Sequence, residues 1–247
     1  MKFLKVLIIF LVFGMNTYAD SIYYLIKLPN LEIVDINTGN QIKTFKTKKY
    51  FKVGIKDNSV ECYSLSDKLL KNRYNLIREN LSMYNDDFLN KINLKFVVLC
   101  EDLEVASIPA LGVPNHLLKT VIININTDDY KLSRVIHHEI FHIINDQYKK
   151  LFNYDKWKDL NSQGFQYQNC STCTDKFGME LLKTKEGFLS EYSQSAIGED
   201  MAEIYSFLMT KNIELKKVIQ KDKVLKKKIN FIKSNILLID KSFKFNL

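Results

Sequence analysis

The sequence predicts an α+β fold with N-terminal strands and a small mixed sheet, a central active-site helix and a mostly helical C-terminal half. Three observations lead there. Only 8 Gly and 3 Pro punctuate 247 residues, too few for a protein made of many tight turns. Ser21 to Leu65 carries β-branched and aromatic stretches, and helical periodicities dominate the second half of the chain. With 46% hydrophobic and 26% charged residues the chain can bury a sizeable core, which excludes general disorder, and no solenoid or propeller repeat is present.

At the N-terminus, Lys2 and Lys5 flank an apolar run from Val6 to Phe13 that closes in small and polar residues at Ala19. That is the pattern of a signal peptide over residues 1–19. The run is too short for a membrane span of about 20 residues, and no Cys follows it to carry a lipid anchor. The mature chain is therefore expected to start near Asp20 and to be secreted or periplasmic. Residues 20–247 are expected to form one domain, 20–126 mainly β with a helix and 127–247 mainly helical.

The runs Tyr23-Tyr24-Leu25-Ile26 and Tyr50-Phe51-Lys52-Val53 are strand-like, separated by turn chemistry at Asn37-Thr38-Gly39-Asn40. Ser66 stands where it can N-cap a helix whose apolar face runs through Leu69, Leu70, Tyr74, Ile77 and Leu81. Residues 94–100 read as a short buried strand and 120–126 as another, the natural edge for an extended peptide. Thr127 or Asp128 can cap the next helix, from 129 to about 149. Its apolar residues fall on nearly all sides, as in a helix at a domain centre. An irregular stretch covers 153 to about 187, and helical patterns resume at Glu199.

The formal net charge is +8, about +6 once Lys2 and Lys5 are removed, and the excess sits at the C-terminus. Between Lys211 and Leu247 about eleven Lys face only Glu214, Asp222 and Asp240. The segment has no Arg and no recognition motif, so nucleic acid is not an expected partner. A solvated helix face is the plain reading, and an anionic membrane or envelope surface is the one partner it suggests. In an exported chain the four cysteines can form two disulfides in three pairings; Cys170–Cys173 with Cys62–Cys100 is the first expectation.

The chemistry is concentrated in the central helix, as His137-His138-Glu139-Ile140-Phe141-His142. His138 and His142 are one helical turn apart, so both can turn a ring nitrogen to one zinc ion. Glu139 lies beside them, able to take a proton from a water that the metal activates without itself being a ligand. A pair of core histidines would instead leave three polar groups on an apolar helix without evident partners. His137 is expected to be structural, as is His116, although His116, in the loop Leu111 to His116, could line the substrate site. A catalytic zinc needs a third protein ligand. Asn145 and Tyr148 stand where the extended metzincin pattern needs Gly and His. Gly198-Glu199-Asp200-Met201-Ala202-Glu203 offers a carboxylate from a later helix, Glu199 first and Glu203 second. The remaining acid, or Asp200, can hydrogen-bond a ligand histidine.

His138-Glu139-x-x-His142 followed by Glu199-Asp200-Met201-Ala202-Glu203 resembles the gluzincin zinc metallopeptidases, most of all the branch of anthrax lethal factor and the Pro-Pro endopeptidases. The resemblance covers residues 137–209. It implies that Glu199 is the third ligand. It also implies an oxyanion-stabilising tyrosine seven residues before that ligand, where this sequence has Tyr192. The expected function is thus an exported zinc endopeptidase with one zinc per chain, Glu139 as base and Tyr192 as oxyanion donor, acting on a peptide or protein. A zinc amidase of cell-envelope material would share this chemistry, and a non-catalytic metal-binding module is the rival class.

Overall fold

The computed structural model describes residues 30–54, 59–168, 181–182, 185–210 and 213–246. The signal-peptide pattern, Tyr23 to Ile26 and the Cys170/Cys173 pair lie outside the described residues. The chain begins with β1 (Leu31–Val34), β2 (Lys43–Thr47), β3 (Phe51–Val53) and β4 (Val60–Cys62), then helices α1 (Asp67–Leu81) and α2 (Asp86–Ile92). Strands β5 (Phe96–Cys100), β6 (Leu103–Val105), β7 (Ile108–Pro109), β8 (Gly112–Asn115) and β9 (Thr120–Asn124) follow. The rest is helical: α3 (Asp129–Gln147), α4 (Tyr154–Lys158), α5 (Ile197–Met209), α6 (Ile213–Lys221) and α7 (Lys223–Ile239), with a 3-10 turn at Tyr192–Gln194. This is the expected α+β class.

The main sheet is mixed, in the order β1-β2-β5-β9-β8. Parallel pairings join β2 to β5 and β5 to β9, and antiparallel ones attach β1 and β8 at the two edges. A smaller antiparallel sheet has the order β3-β4-β6-β7. All five residues of β5 are buried because the strand is covered on both faces. Val97 and Leu99 join the large core beneath the helices, while Phe96, Val98 and Cys100 pack with Phe45, Phe51, Cys62 and Leu103 between the two sheets. An unbroken apolar run is how such a two-faced strand reads in sequence.

One expectation fails here. Residues 120–126 are not the free edge: β9 is flanked by β5 on one side and β8 on the other. The edge is β8, whose Gly112-Val113-Pro114-Asn115 has the composition of a loop. Proline is tolerated in a strand at an edge, where its missing N–H costs no ladder bond, and Pro114 stands opposite Val121.

Helix starts follow capping chemistry. Ser66 accepts from the amide of Leu69 at the head of α1, and Asp128 accepts from Lys131 at the head of α3. Helix α3 is buried almost all round, from Leu132 to Asn145, and the described residues of the irregular stretch after it include one short helix, α4. The lysine-rich helix α7 is not wholly a solvated face: Lys223, Lys226 and Lys227 are exposed, but Lys228 is fully buried.

Cys62 and Cys100, both buried, form a disulfide that fastens β4 of the small sheet to the end of β5 across 38 residues of chain. Closing a loop of this size restricts the unfolded chain. Replacing both cysteines by Ala is expected to lower the unfolding free energy by about 2–4 kcal/mol, read as a lower denaturant midpoint. A reductant should lower the midpoint of the native protein by more than that of the variant.

Candidate metal centre

Helices α3 and α5 pack side by side, and their facing residues build the site. His138 and His142 project from one face of α3, and Glu199 comes from the first turn of α5, where the helix dipole favours an acid. His138 Nε2 lies 3.0 Å from Glu199 Oε2 and 3.1 Å from His142 Nε2, and His142 Nε2 lies 3.3 Å from Glu199 Oε2. Three ligand atoms held tetrahedrally at about 2.0–2.1 Å from one zinc would stand about 3.3–3.4 Å apart. The donor triangle fits that ion.

The remaining groups orient the ligands. Glu203, one turn further along α5, places Oε1 at 3.0 Å from His138 Nδ1. A carboxylate can only accept there, so Nδ1 carries a proton, and a metal at the triangle would take Nε2 in place of the proton that Glu199 holds there. The same oxygen is 2.7 Å from Nη2 of Arg134, and Oε2 accepts from the Ser190 hydroxyl. Arg134, fully buried on α3, also donates to Ser206 Oγ at 3.1 and 3.0 Å and stacks 3.5 Å over the Phe207 ring. Burial pushes Glu203 up, but Arg134 and His138 outweigh it and hold the carboxyl down at about 2. Burial likewise opposes a charge on His138, and Glu199 and Glu203 reverse it, raising the imidazole to about 10. A spot that draws a proton this strongly is a spot for positive charge, and proton and metal compete for the same nitrogen.

Glu139 points beside the triangle without joining it. Its carboxyl is buried, which pushes its pKa up against the pull of His138 and His142. Its Oε2 has no hydrogen-bond partner among the described residues. Edge strand β8 runs directly over it: a Cβ at Gly112 would lie 2.4 Å from Glu139 Cγ and 2.6 Å from Oε1. Tyr192, at the start of the 3-10 turn, has its ring centroid 5.9 Å from that of His138. Burial first, and then Glu199, Glu139 and Glu203, keep its phenol protonated far above the ordinary range.

The structure therefore brings together His138, His142, Glu199, Glu139 and Tyr192, with Glu203 behind His138. It does not bring Asp200 to a ligand histidine. Asp200 turns the other way, accepting from Trp157 Nε1 at 2.9 Å, Tyr167 at 2.6 Å and Lys228 at 2.7 Å. His137 is structural, with Nδ1 2.6 Å from the Tyr84 hydroxyl and Nε2 2.9 Å from Asn80 Oδ1, and burial lowers its pKa to about 3. His116 is exposed, 3.7 Å from Asp146. Sequence reasoning missed Arg134, Ser190, Gly112 and the Tyr154–Gly198 contact, in which the Tyr154 hydroxyl takes the space of a Gly198 Cβ. The one available signal was a lone Arg in an apolar helix, one turn before His138.

The model of a family described as "Putative zinc-binding metallo-peptidase" matches residues 73–245. The chain belongs to that family. A crystal structure of a protein with the same description from Bacteroides caccae is similar at a TM-score of 0.51 and 17% identity, covering 94% of this chain and 89% of that one. At that identity the likeness shows a shared fold. Among curated proteins no relative matches. All the metal-centre residues of this zinc-metallopeptidase family member lie within the matched segment.

The Gly112 contact yields a direct test. Gly112→Ala should displace the Glu139 carboxylate while leaving the donor triangle intact. The expected outcome is unchanged zinc content with hydrolysis down by about 10²-fold, the scale of a misplacement near 1 Å, measured by elemental analysis and steady-state kinetics on one preparation.

Proposed function

We propose that this chain is an exported zinc-dependent endopeptidase of the gluzincin type, with one zinc held by His138, His142 and Glu199. The observation that carries the reading is the donor triangle of 3.0–3.3 Å with a buried, unpartnered carboxylate oxygen of Glu139 beside it. A module that only stored metal would have no use for that carboxylate, because burying an unpaired polar group is costly.

A zinc ion at the triangle would supply a Lewis acid for the scissile carbonyl and acidify a water at neutral pH. Glu139, raised by burial toward the working range, accepts the water proton at Oε2 and returns it to the departing amine. The Tyr192 hydroxyl, held neutral, donates to the oxygen that gains charge as the carbonyl is attacked. Glu203, anchored by Arg134 and Ser190, keeps the Nδ1 proton of His138 in place. Edge strand β8 offers its main chain to an extended peptide, so the substrate lies antiparallel or parallel to it across Glu139. Export is supported by the signal-peptide pattern and by the buried Cys62–Cys100 disulfide, a bond that persists in oxidising compartments.

Purified mature protein is expected to contain one zinc per chain and to cleave members of a peptide library until a chelator is added. Glu139→Gln should retain the zinc and lose the cleavage, whereas His138→Ala with His142→Ala should lose both. Turnover of peptidoglycan fragments with no cleavage of any peptide would assign the chain to envelope amidases instead. Tyr192→Phe should lower kcat by about 10²- to 10³-fold with KM and zinc content nearly unchanged, since an oxyanion donor acts mainly in the transition state. A tyrosine that only packs would lose about 1 kcal/mol of stability and almost no rate.

A further inference from the structure

Two separate segments must be brought to the metal centre from outside α3. One is the first turn of α5, which carries Glu199; the other is the loop over residues 185–195, which carries Ser190 and Tyr192. Both are fastened to the same side chain. Lys228 of α7 is fully buried, and its ammonium donates to the carbonyl of Gly187 at 2.8 Å and to Oδ2 of Asp200 at 2.7 Å. It also sits 3.8 Å over the Phe188 ring. Asp200 directly follows Glu199, and Gly187 lies three residues before Ser190.

The loop end of this tie is closed from both sides. Gly187 donates its own amide to Asp222 Oδ2 at 2.6 Å, while Asp222 Oδ1 caps α7 through the amide of Leu225 at 2.8 Å. The residue is at φ +83°, and a Cβ there would meet Val224 Cγ1 at 2.6 Å. Both main-chain polar groups of Gly187 are thus bound by α7, at a position only glycine fits.

We infer that Lys228 is a positioning residue that sets the location of Glu199 relative to Tyr192 by holding Asp200 and Gly187 on one ammonium. The inference rests on the proposed function for those two residues. A buried ammonium is an expensive way to fill space, and an apolar pair of the same volume serves a core as well or better. What the lysine adds is direction: two hydrogen bonds to two chain segments that meet at the active centre.

The test removes both buried charges together. Zinc-loaded Lys228→Met with Asp200→Asn leaves no uncompensated charge, so its melting temperature is expected to stay close to that of the native protein. With the tie gone, kcat should fall by about 10- to 100-fold at nearly constant KM, and the zinc dissociation constant, measured by chelator competition, should rise several-fold. Native kcat and zinc affinity in the folded double variant would overturn the inference and reduce the pair to core filling. If the double variant does not fold, Lys228→Arg, whose guanidinium keeps the charge and the N–H donors for both partners, is compared with Lys228→Met. Recovery of zinc affinity and kcat by Arg over Met supports the tie, and equal loss in both overturns it. Glu139→Gln is assayed alongside. If it cleaves as fast as the native protein, the functional reading fails, while the zinc constants of the Lys228 variants still decide whether the tie holds.

Discussion

Everything around the α3–α5 seam answers one constraint: ionised carboxylates cannot be stacked in a low-dielectric interior without matching positive charge. Glu199 and Glu203 meet there, and Asp200, next in the chain to Glu199, faces the other side of α5. Glu203 is matched by Arg134, and Asp200 by Lys228, each at 2.7 Å. Among the described residues Glu199 has no Lys or Arg beside it, only the imidazoles of His138 and His142. That asymmetry leaves a place that a cation could fill, because two acids are neutralised by the chain and the third faces only two imidazole nitrogens.

The same constraint explains the burial of α3. Arg134, His138 and His142 lie on successive turns of one helix, so the cation that steadies Glu203 and the two ligand nitrogens share a rigid rod. Packing of Ile136, Ile140, Phe141 and Ile144 in the large core fixes the rod. The sheet contributes on the other side. Strand β8 lies across Glu139 at backbone distance, which keeps the carboxylate dry without giving it a partner.

What the sequence made legible, it did through local chemistry. Asp128 before α3, Ser66 before α1 and the two-faced strand β5 are each written in a few adjacent residues. So are His138, Glu139 and His142, since helix geometry alone gathers them. The metal centre's supports are not local. Arg134 and Glu203 are 69 positions apart in the numbering, and only the folded chain makes them neighbours. Strand β8 hid behind Gly112 and Pro114, residues whose loop-like composition is overridden by its place at an edge. Lys228 hid within a run of lysines, where periodic charge reads as a wetted surface and one member is instead enclosed. Asp200 was expected to hydrogen-bond a ligand histidine, yet a shift of one residue from Glu199 turns it about 100° around the helix, away from the histidines.

That angular shift also separates the two adjacent histidines. His137 faces Tyr84 and Asn80 in the interior, and His138 faces the donor triangle. In the unfolded chain no such division exists, and three imidazoles within six residues form a short chelating stretch open to any divalent ion. Metal affinity for that denatured stretch reduces the stabilisation the ion can confer on the native state. Folding therefore acts as a ligand sorter. It withdraws His137 into bonds with Tyr84 and Asn80 and leaves His138 and His142 at the donor triangle.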